Sequence, residues 1–228
     1  MILLAIDTSG KDGSIALARA PESMGDSAKA LEILEVVPLE GGTFSAQLVP
    51  QISALLSKHG IQKTEIGAFA VASGPGSFTG LRVGLAAVKA LAEILGKPIA
   101  AVSRLEAMAR AAGVRGIVIA VLDAGRGEVY AGIYDLEETA HMRSERLLTN
   151  AELFAEAGEN VIVTSDSKLA EAARAARLRV EQVDLPRSEA IARLGWEKIQ
   201  KGETVSPEDL EANYIRRSDA EIFAKIRR

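Results

Sequence analysis

The chain has 228 residues, enough to bury a substantial core, and its 48% hydrophobic and 25% charged residues are ordinary for a soluble globular protein. Its formal net charge of −4 argues against tight, autonomous nucleic-acid binding, and the absence of cysteine excludes disulfides, thiolate nucleophiles and sulfur-ligated metals. Because no apolar run approaches the ~20 residues that cross a bilayer, and residues 1–6 lack the features of a signal sequence, we expect a cytoplasmic protein without a membrane partner.

The first half of the chain alternates apolar runs with turn residues. Strands are predicted at residues 1–6, 14–20 and 31–38, and the first strand ends at an Asp7 turn. A helix is predicted after Thr43, and Pro50 is expected either to kink it or to mark its first turn. Its apolar stripe consists of Phe44, Leu48, Ile52, Leu55 and Leu56. A strand at 66–72, a helix from 77 to 96, a strand at 99–102 and a helix at 105–112 follow.

The stretch between the 66–72 strand and the next helix is rich in glycine. Ser73-Gly74-Pro75-Gly76 must turn sharply, and Ser77 stands where a helix N-cap is expected. One face of the helix carries Ser77, Gly80, Gly84 and Ala87. Glycine inside a helix costs about 1 kcal/mol relative to alanine, so this face indicates a close approach. The approaching group is another segment of the same fold, a second subunit, or a phosphate at the helix N-terminus, and spacing alone leaves these accounts open.

The second half repeats the order of the first. Strands are predicted at 117–122, from Glu128 and at 141–148; a helix at 151–157, a strand at 161–164, a helix at 168–176, a strand at 179–183 and a helix capped at Ser188 follow. Asp123 ends the first strand of this half as Asp7 does in the first. Two unrelated hairpins are the simple alternative to a duplication, since Asp-Gly turns are common.

We predict from this order an α/β protein with a duplicated βββαβα unit. Such a duplication resembles the actin/hexokinase/Hsp70 superfamily, which is built from two RNase H-like lobes. The N-terminal lobe is expected at residues 1–103 and the C-terminal lobe at 104–228, with a final segment that can pack back on the first lobe.

Candidate catalytic residues are scarce. In the superfamily that the duplication resembles, the two Asp turns face each other across a cleft and hold nucleotide phosphates and their metal. The corresponding residues here are Asp7, Thr8, Ser9 and Asp123. Because Thr164-Ser165-Asp166 stands where adenosine-binding members carry glycines, the sequence favours the interpretation of these residues as a vestige of a nucleotide-binding ancestor. The histidines, His59 and His141, lack ligand-spaced neighbours, so neither a metal site nor a catalytic residue is predicted.

Four motifs, in order along nearly the whole chain, carry a resemblance to a known family. They are I-D-T-S at 6–9, S-G-P-G-S-F-T-G-L-R-V-G at 73–84, L-D-A-G-R-G-E-V-Y at 122–130 and Y-I-R-R at 214–217. Together they closely resemble the TsaB (YeaZ) family, bacterial proteins of tRNA threonylcarbamoyladenosine synthesis, and this family has the duplicated fold predicted above.

The resemblance implies a non-catalytic subunit that pairs with and activates the TsaD-type threonylcarbamoyltransferase, in a ternary complex with a TsaE-type ATPase. It implies in addition that the N-terminal lobe, residues 1–103, is the partner-binding lobe. It also implies a homodimer when TsaD is absent, and only indirect or weak contact with tRNA. The implied interface is a helix bundle made by Phe44, Leu48, Ile52, Leu55, Ser77, Gly80, Gly84 and Ala87. Phe44 departs from the histidine that many such chains keep there, which makes the helix more apolar.

No cofactor is predicted, although a nucleotide at the cleft or at the subunit junction stays open. The alternative function is an ATP-binding kinase-like or glycoprotease-like enzyme of the same superfamily. A kinase would need an adenosine pocket beside Asp7 and Asp123, and a peptidase would need metal ligands.

Overall fold

A computed structural model describes residues 1–21, 31–137 and 140–216. The chain divides into two compact units. Unit 1 comprises Met1–Ser103 together with Pro186–Ala212, and unit 2 comprises Arg104–Leu185 and the chain from Asn213 onward. The segment that returns to unit 1 therefore begins at Pro186, whereas residues 217–228, the end of the predicted C-terminal lobe, lie outside the described residues.

Unit 1 is built on a mixed five-stranded sheet with the order β3-β2-β1-β4-β5. The strands are β1 (Ile2–Asp7), β2 (Gly13–Arg19), β3 (Glu32–Leu39), β4 (Ile66–Gly74) and β5 (Ile99–Ser103). Strands β1 to β3 pair antiparallel, and β4 and β5 run parallel to β1. The central strand β1 is buried along its whole length because helices cover both faces, which explains its uninterrupted apolar sequence.

Helices α1 (Phe44–Lys58) and α2 (Phe78–Leu95) cover one face of this sheet, where they pack on alternate residues such as Leu4 and Ile6. The helix Ser188–Gln200, called α6 below, packs against β1, β4 and β5. Its Gly195 approaches the sheet so closely that an added Cβ would lie 2.4 Å from the Cβ of Ala70.

Unit 2 repeats this topology with the order β10-β9-β6-β7-β8. Its strands are β6 (Ile117–Gly125), β7 (Glu128–Leu136), β8 (Ala140–Thr149), β9 (Val161–Thr164) and β10 (Val180–Gln182), and its helices are α3 (Arg104–Ala111), α4 (Asn150–Ala157) and α5 (Ser167–Ala175). As in unit 1, an antiparallel three-strand meander is extended by two parallel strands. The predicted duplication of a βββαβα unit is confirmed.

Helix boundaries confirm some expectations and correct others. Ser77 is the N-cap of α2, since its Oγ accepts a hydrogen bond from Gly80 N at 3.3 Å. Helix α1 runs from Phe44 straight through Pro50, so Pro50 does not mark the first turn. Ser188 is the first residue of α6 rather than its cap, which is Arg187, and the Ser188 N–H donates a hydrogen bond to Ser14 Oγ at 3.0 Å. Within the described residues, no helix is long and apolar enough to span a membrane.

Candidate functional site

The glycines of α2 are explained by the turn that follows β1. An added Cβ would lie 2.3 Å from Ser9 O at Gly76, 2.0 Å from Thr8 O at Gly80, and 2.4 Å from Thr8 Oγ1 at Gly84. The Thr8 hydroxyl also donates a hydrogen bond of 2.7 Å to Gly80 O, which fastens the turn to the helix. Of the three accounts left open by the sequence, the close crossing inside the fold accounts for Gly80 and Gly84.

The apolar stripe of α1 is likewise buried in the core of unit 1. Phe44, Leu48, Ile52 and Leu55 are at most 7% exposed and belong to the main core beneath the helices. Gly80 and Gly84 are buried as well, so these six residues offer little surface to a partner, although Leu48 also lines an outer groove. That they form a partner interface stays a prediction. Ser77, which is exposed as the N-cap, and Ala87, which is half-buried, stay accessible.

The outward side of the same two helices is the accessible surface. A groove of about 500 Å³ lies between α1 and α2. Its lining consists of Ser45, Leu48, Val49, Phe78, Thr79, Arg82, Val83, Ala86 and Ala87. Val49 and Phe78 are large apolar side chains with exposed fractions of 59% and 39%, and Ile94 farther along α2 is 77% exposed. Single exposed apolar residues are common, whereas Val49 and Phe78 line the same groove and so form one exposed apolar surface.

On this outward side of α2, the sequence shows a second regular pattern besides that of the glycines. Arg82, Ala86 and Ala90 are exposed and follow one another at intervals of four along α2, so they form one ridge. Arg82 also lies over the ring of Phe78, with 3.7 Å between the guanidinium carbon and the ring centroid. Among the described residues that line the groove, Arg82 alone carries a charge.

The Asp7 turn is stabilised by hydrogen bonds among its own residues. Asp7, Thr8 and Ser9 are brought together and are at most 5% exposed. One carboxylate oxygen of Asp7 accepts a hydrogen bond from Ser9 N at 2.9 Å and another from Ser9 Oγ. The Asp7 carboxylate thus stabilises the turn that packs on α2, which is the role expected of a vestige.

Asp123 has a comparable local role in unit 2. It is exposed, and its Oδ1 accepts a hydrogen bond of 2.8 Å from Gly125 N in the β6–β7 hairpin. Arg216 braces the same hairpin by donating to Ala124 O at 2.7 Å and by pairing with Glu128. Arg216 of the second motif therefore contacts the 122–130 motif, although the two are far apart in the sequence.

Neither histidine lies in a metal-binding arrangement. His59 Nε2 lies 2.8 Å from Glu35, which also receives a hydrogen bond of 2.7 Å from Lys58 Nζ. The Lys58 bond, followed by that of His59, lowers the pKa of Glu35 from its ordinary 4.5. In the part of the chain that the structure describes, no three His, Asp or Glu side chains are grouped to hold a metal ion.

Comparison with known proteins agrees with the motifs. The family profile described as TsaD, tRNA N6-adenosine threonylcarbamoyltransferase, matches residues 36–191. The tRNA threonylcarbamoyladenosine biosynthesis protein TsaB of Escherichia coli is 30% identical over 233 residues, with 96% of each chain covered. TsaB of Bacillus subtilis is 36% identical over 135 residues, which cover 59% of this chain and 55% of that relative.

A solved structure extends the comparison to three dimensions. YeaZ from Pseudomonas aeruginosa superposes with a TM-score of 0.72 at 27% identity, over 93% of this chain and 99% of that one. Similarity to this structure therefore covers both units rather than one motif.

Proposed function

The chain belongs to the TsaB (YeaZ) family, and we propose on that premise that it is a non-catalytic subunit of the tRNA threonylcarbamoyladenosine synthesis machinery. It pairs with and activates a TsaD-type threonylcarbamoyltransferase, and a TsaE-type ATPase joins the pair in a ternary complex. Contact with tRNA is indirect or weak, in keeping with the net charge of −4.

The observation that supports this proposal is the exposed apolar groove between α1 and α2. Its apolar residues, among them Val49, Phe78 and Val83, are held on two helices that the core beneath makes rigid. The alanines of the α2 ridge, Ala86 and Ala90, let another helix approach closely at no cost in helix propensity. A helix pair of the catalytic subunit is thus the occupant that fits this surface, and in its absence a second copy of the chain occupies it.

A non-catalytic role is supported by the hydrogen bonds of the two aspartates that end β1 and follow β6. The Asp7 carboxylate is bonded to Ser9 and nearly inaccessible, and Asp123 is bonded within its own hairpin. Both carboxylates therefore accept hydrogen bonds that stabilise their own turns, and a catalytic metal bound to them would disturb these bonds. This is the reason to prefer a partner subunit over a kinase-like or glycoprotease-like enzyme.

The proposal is tested by size-exclusion chromatography with light scattering on the purified protein, alone and mixed with TsaD of the same organism. We expect a homodimer that converts into a heterodimer. Val49→Asp places a charge in the groove and should weaken pairing by more than about tenfold, since a buried unpaired charge is strongly unfavourable. Ala54→Asp is the matched control, because Ala54 is an exposed α1 residue outside the groove lining.

Two results would contradict the proposal. A protein that ignores TsaD at micromolar concentration would refute the pairing itself. Equal loss of pairing in Val49→Asp and Ala54→Asp would place the interface elsewhere. Far-UV circular dichroism of both variants should match the wild type, since both positions are exposed.

A further inference from the structure

Three arginines lie in unit 2 where helix α5 ends and the edge strand β10 begins. This arginine cluster consists of Arg174, Arg177 and Arg179, and all three residues are exposed. Residues 167–182 contain four basic residues against two acidic ones, although the whole chain has a net charge of −4. The negative end of the α5 dipole explains a cation in the last helical turn, where Arg174 lies, but its effect falls off beyond that turn. The two arginines after the helix therefore need another explanation.

The arginine cluster keeps its positive charge, since no carboxylate of the described residues forms an ion pair with it. Elsewhere in unit 2, by contrast, Arg143, Arg146 and Arg216 each pair with a carboxylate. Within the cluster, Arg179 donates a hydrogen bond of 3.3 Å to the backbone oxygen of Glu159. A guanidinium has five N–H donors, so this bond holds the side chain and leaves other donors for a ligand.

The backbone of Arg177 is strained, which indicates that its side chain does not serve the stability of the fold. Its φ is +62°, in the left-handed region. The residue closes α5: its N–H is bonded to Arg174 O at 2.9 Å, and the N–H of Leu178 is bonded to Ala173 O at 3.0 Å. Glycine is the usual residue at this position, because a Cβ is unfavourable in the left-handed conformation. The strain therefore points to a use for the arginine outside the fold.

The composition of this surface favours phosphates as the ligand. A guanidinium binds phosphate oxygens through two parallel hydrogen bonds. A membrane surface would require large apolar side chains that insert, and none of the exposed large apolar residues that the structure describes lies within residues 167–182. An unpaired base would require an aromatic side chain on which to stack, and the same residues include none. The surface thus fits the phosphates of a double-helical region, which is recognised by its backbone and shape.

We propose that the arginine cluster binds phosphates along a double-helical stem of the tRNA on which the tRNA threonylcarbamoyladenosine machinery acts. The proposal rests on the proposed function, since the complex with the catalytic subunit brings the chain to tRNA, and it assigns the weak tRNA contact to named residues. The contact is independent of base sequence, because phosphates carry none. It adds to the tRNA binding of the catalytic subunit and weakens as salt replaces the released counterions.

The test measures tRNA binding by the complex of this protein with TsaD of the same organism. Fluorescence anisotropy with labelled tRNA gives the affinity over a series of salt concentrations. Arg174→Gln combined with Arg177→Gly should lower the affinity by about tenfold and reduce the slope of log affinity against log salt by about 2, since two phosphate contacts are lost. An RNA duplex of unrelated sequence should show the same loss.

Arg177→Gly alone separates binding from folding. Glycine relieves the strained backbone, so the Tm of the variant should rise by about 2 °C. Its tRNA affinity should nevertheless fall by about threefold, and its salt slope by about 1. A rise in Tm with unchanged tRNA affinity would overturn the proposal, because it would show that the arginine affects the helix end alone.

Lys168→Gln is the matched control for Arg174→Gln. Both substitutions remove one exposed positive charge from α5, but Lys168 lies in the first turn, at the opposite end of the helix from the cluster. Its tRNA affinity should stay within about twofold of the wild type, because a phosphate contact is local. Equal losses in the two variants would overturn the proposal, since they would reflect the net charge of unit 2.

Failure of the proposed function gives a different pattern. If the wild-type protein forms no complex with TsaD, the proposed function is refuted and the tRNA contact falls with it. If the complex forms and binds tRNA, but the double variant has unchanged affinity and salt slope, only the assignment of the cluster is refuted. Loss of TsaD pairing in the double variant, or loss of binding to phosphatidylglycerol vesicles instead of tRNA, would also overturn the assignment, because the cluster would then contact a protein or a membrane.

Discussion

Replacing Gly84 by alanine should destabilise unit 1, although alanine is the better helix former. The new Cβ would lie 2.4 Å from Thr8 Oγ1, so the hydroxyl must move away from its 2.7 Å hydrogen bond to Gly80 O. Loss of that bond costs about 1 kcal/mol and overpacking about 1–3 kcal/mol. The gain in helix propensity returns about 1 kcal/mol, so the net loss in the free energy of unfolding should be about 1–3 kcal/mol.

The sign of the effect should reverse when Thr8 is also replaced. In a Thr8→Ala background the clashing oxygen is gone, and the nearest remaining atoms, Ile6 Cγ2 and Thr8 Cβ, both lie 3.6 Å from the new Cβ. This is an ordinary contact, so Gly84→Ala should then stabilise by up to about 1 kcal/mol. Gly80→Ala is the control: its Cβ would lie 2.0 Å from the backbone oxygen of Thr8, which Thr8→Ala does not remove.

Urea unfolding followed by tryptophan fluorescence is the suitable assay. The chain has one tryptophan, Trp196, which is 7% exposed in α6 and therefore reports on unit 1. The double-mutant cycle should give a coupling of about 1–4 kcal/mol between positions 8 and 84, the difference between the two expected effects. If Gly84→Ala has the same effect in both backgrounds, or stabilises the wild type, the close crossing does not explain the glycine.

Further predictions concern polar contacts outside the groove. Arg216→Met should lower the free energy of unfolding by about 1.5–3 kcal/mol in thermal denaturation, because its guanidinium binds two carbonyls and Glu128 in the β6–β7 hairpin. Glu35→Gln should destabilise the protein at neutral pH only, because the pKa of Glu35 is lowered in the folded state. The ionised Glu35 therefore stabilises the fold above its ordinary pKa of 4.5, and this stabilisation is lost as the pH falls through the lower folded value. A pH series of urea unfolding midpoints would show the difference between variant and wild type. Asp7→Ala should destabilise by about 1–3 kcal/mol, because Ser9 N loses its acceptor, and Mg-ATP should leave the wild-type Tm unchanged in differential scanning fluorimetry.

Local sequence patterns were sufficient to predict the helices and strands of this fold. Features that depend on contacts between residues far apart in the sequence could not be predicted. The strands could be predicted because apolar runs such as residues 66–72 end at glycine, proline or aspartate. The predicted start of α6 was one residue too late, and the bond of Ser188 N to Ser14 Oγ, 174 residues away, is a contact that local sequence does not reveal. Helix α1 continues through Pro50 because buried Leu48 and Ile52 on either side anchor it to the core, which outweighs one missing hydrogen bond.

The sequence alone did not distinguish buried from accessible residues on α2, because this helix carries small residues on two faces. The chemistry of these residues distinguishes the faces. Glycine costs helix stability, so it is expected only where even a Cβ would collide, as at Gly80 and Gly84 against the β1 turn. Alanine costs nothing in a helix and still permits close approach, so it suits an exposed face such as Ala86 and Ala90. A neighbouring segment of the same chain always lies against the helix in the folded protein. A helix face that binds a partner must also be stable while the partner is absent. Glycines within a helix therefore indicate internal crossings more strongly than they indicate partner surfaces.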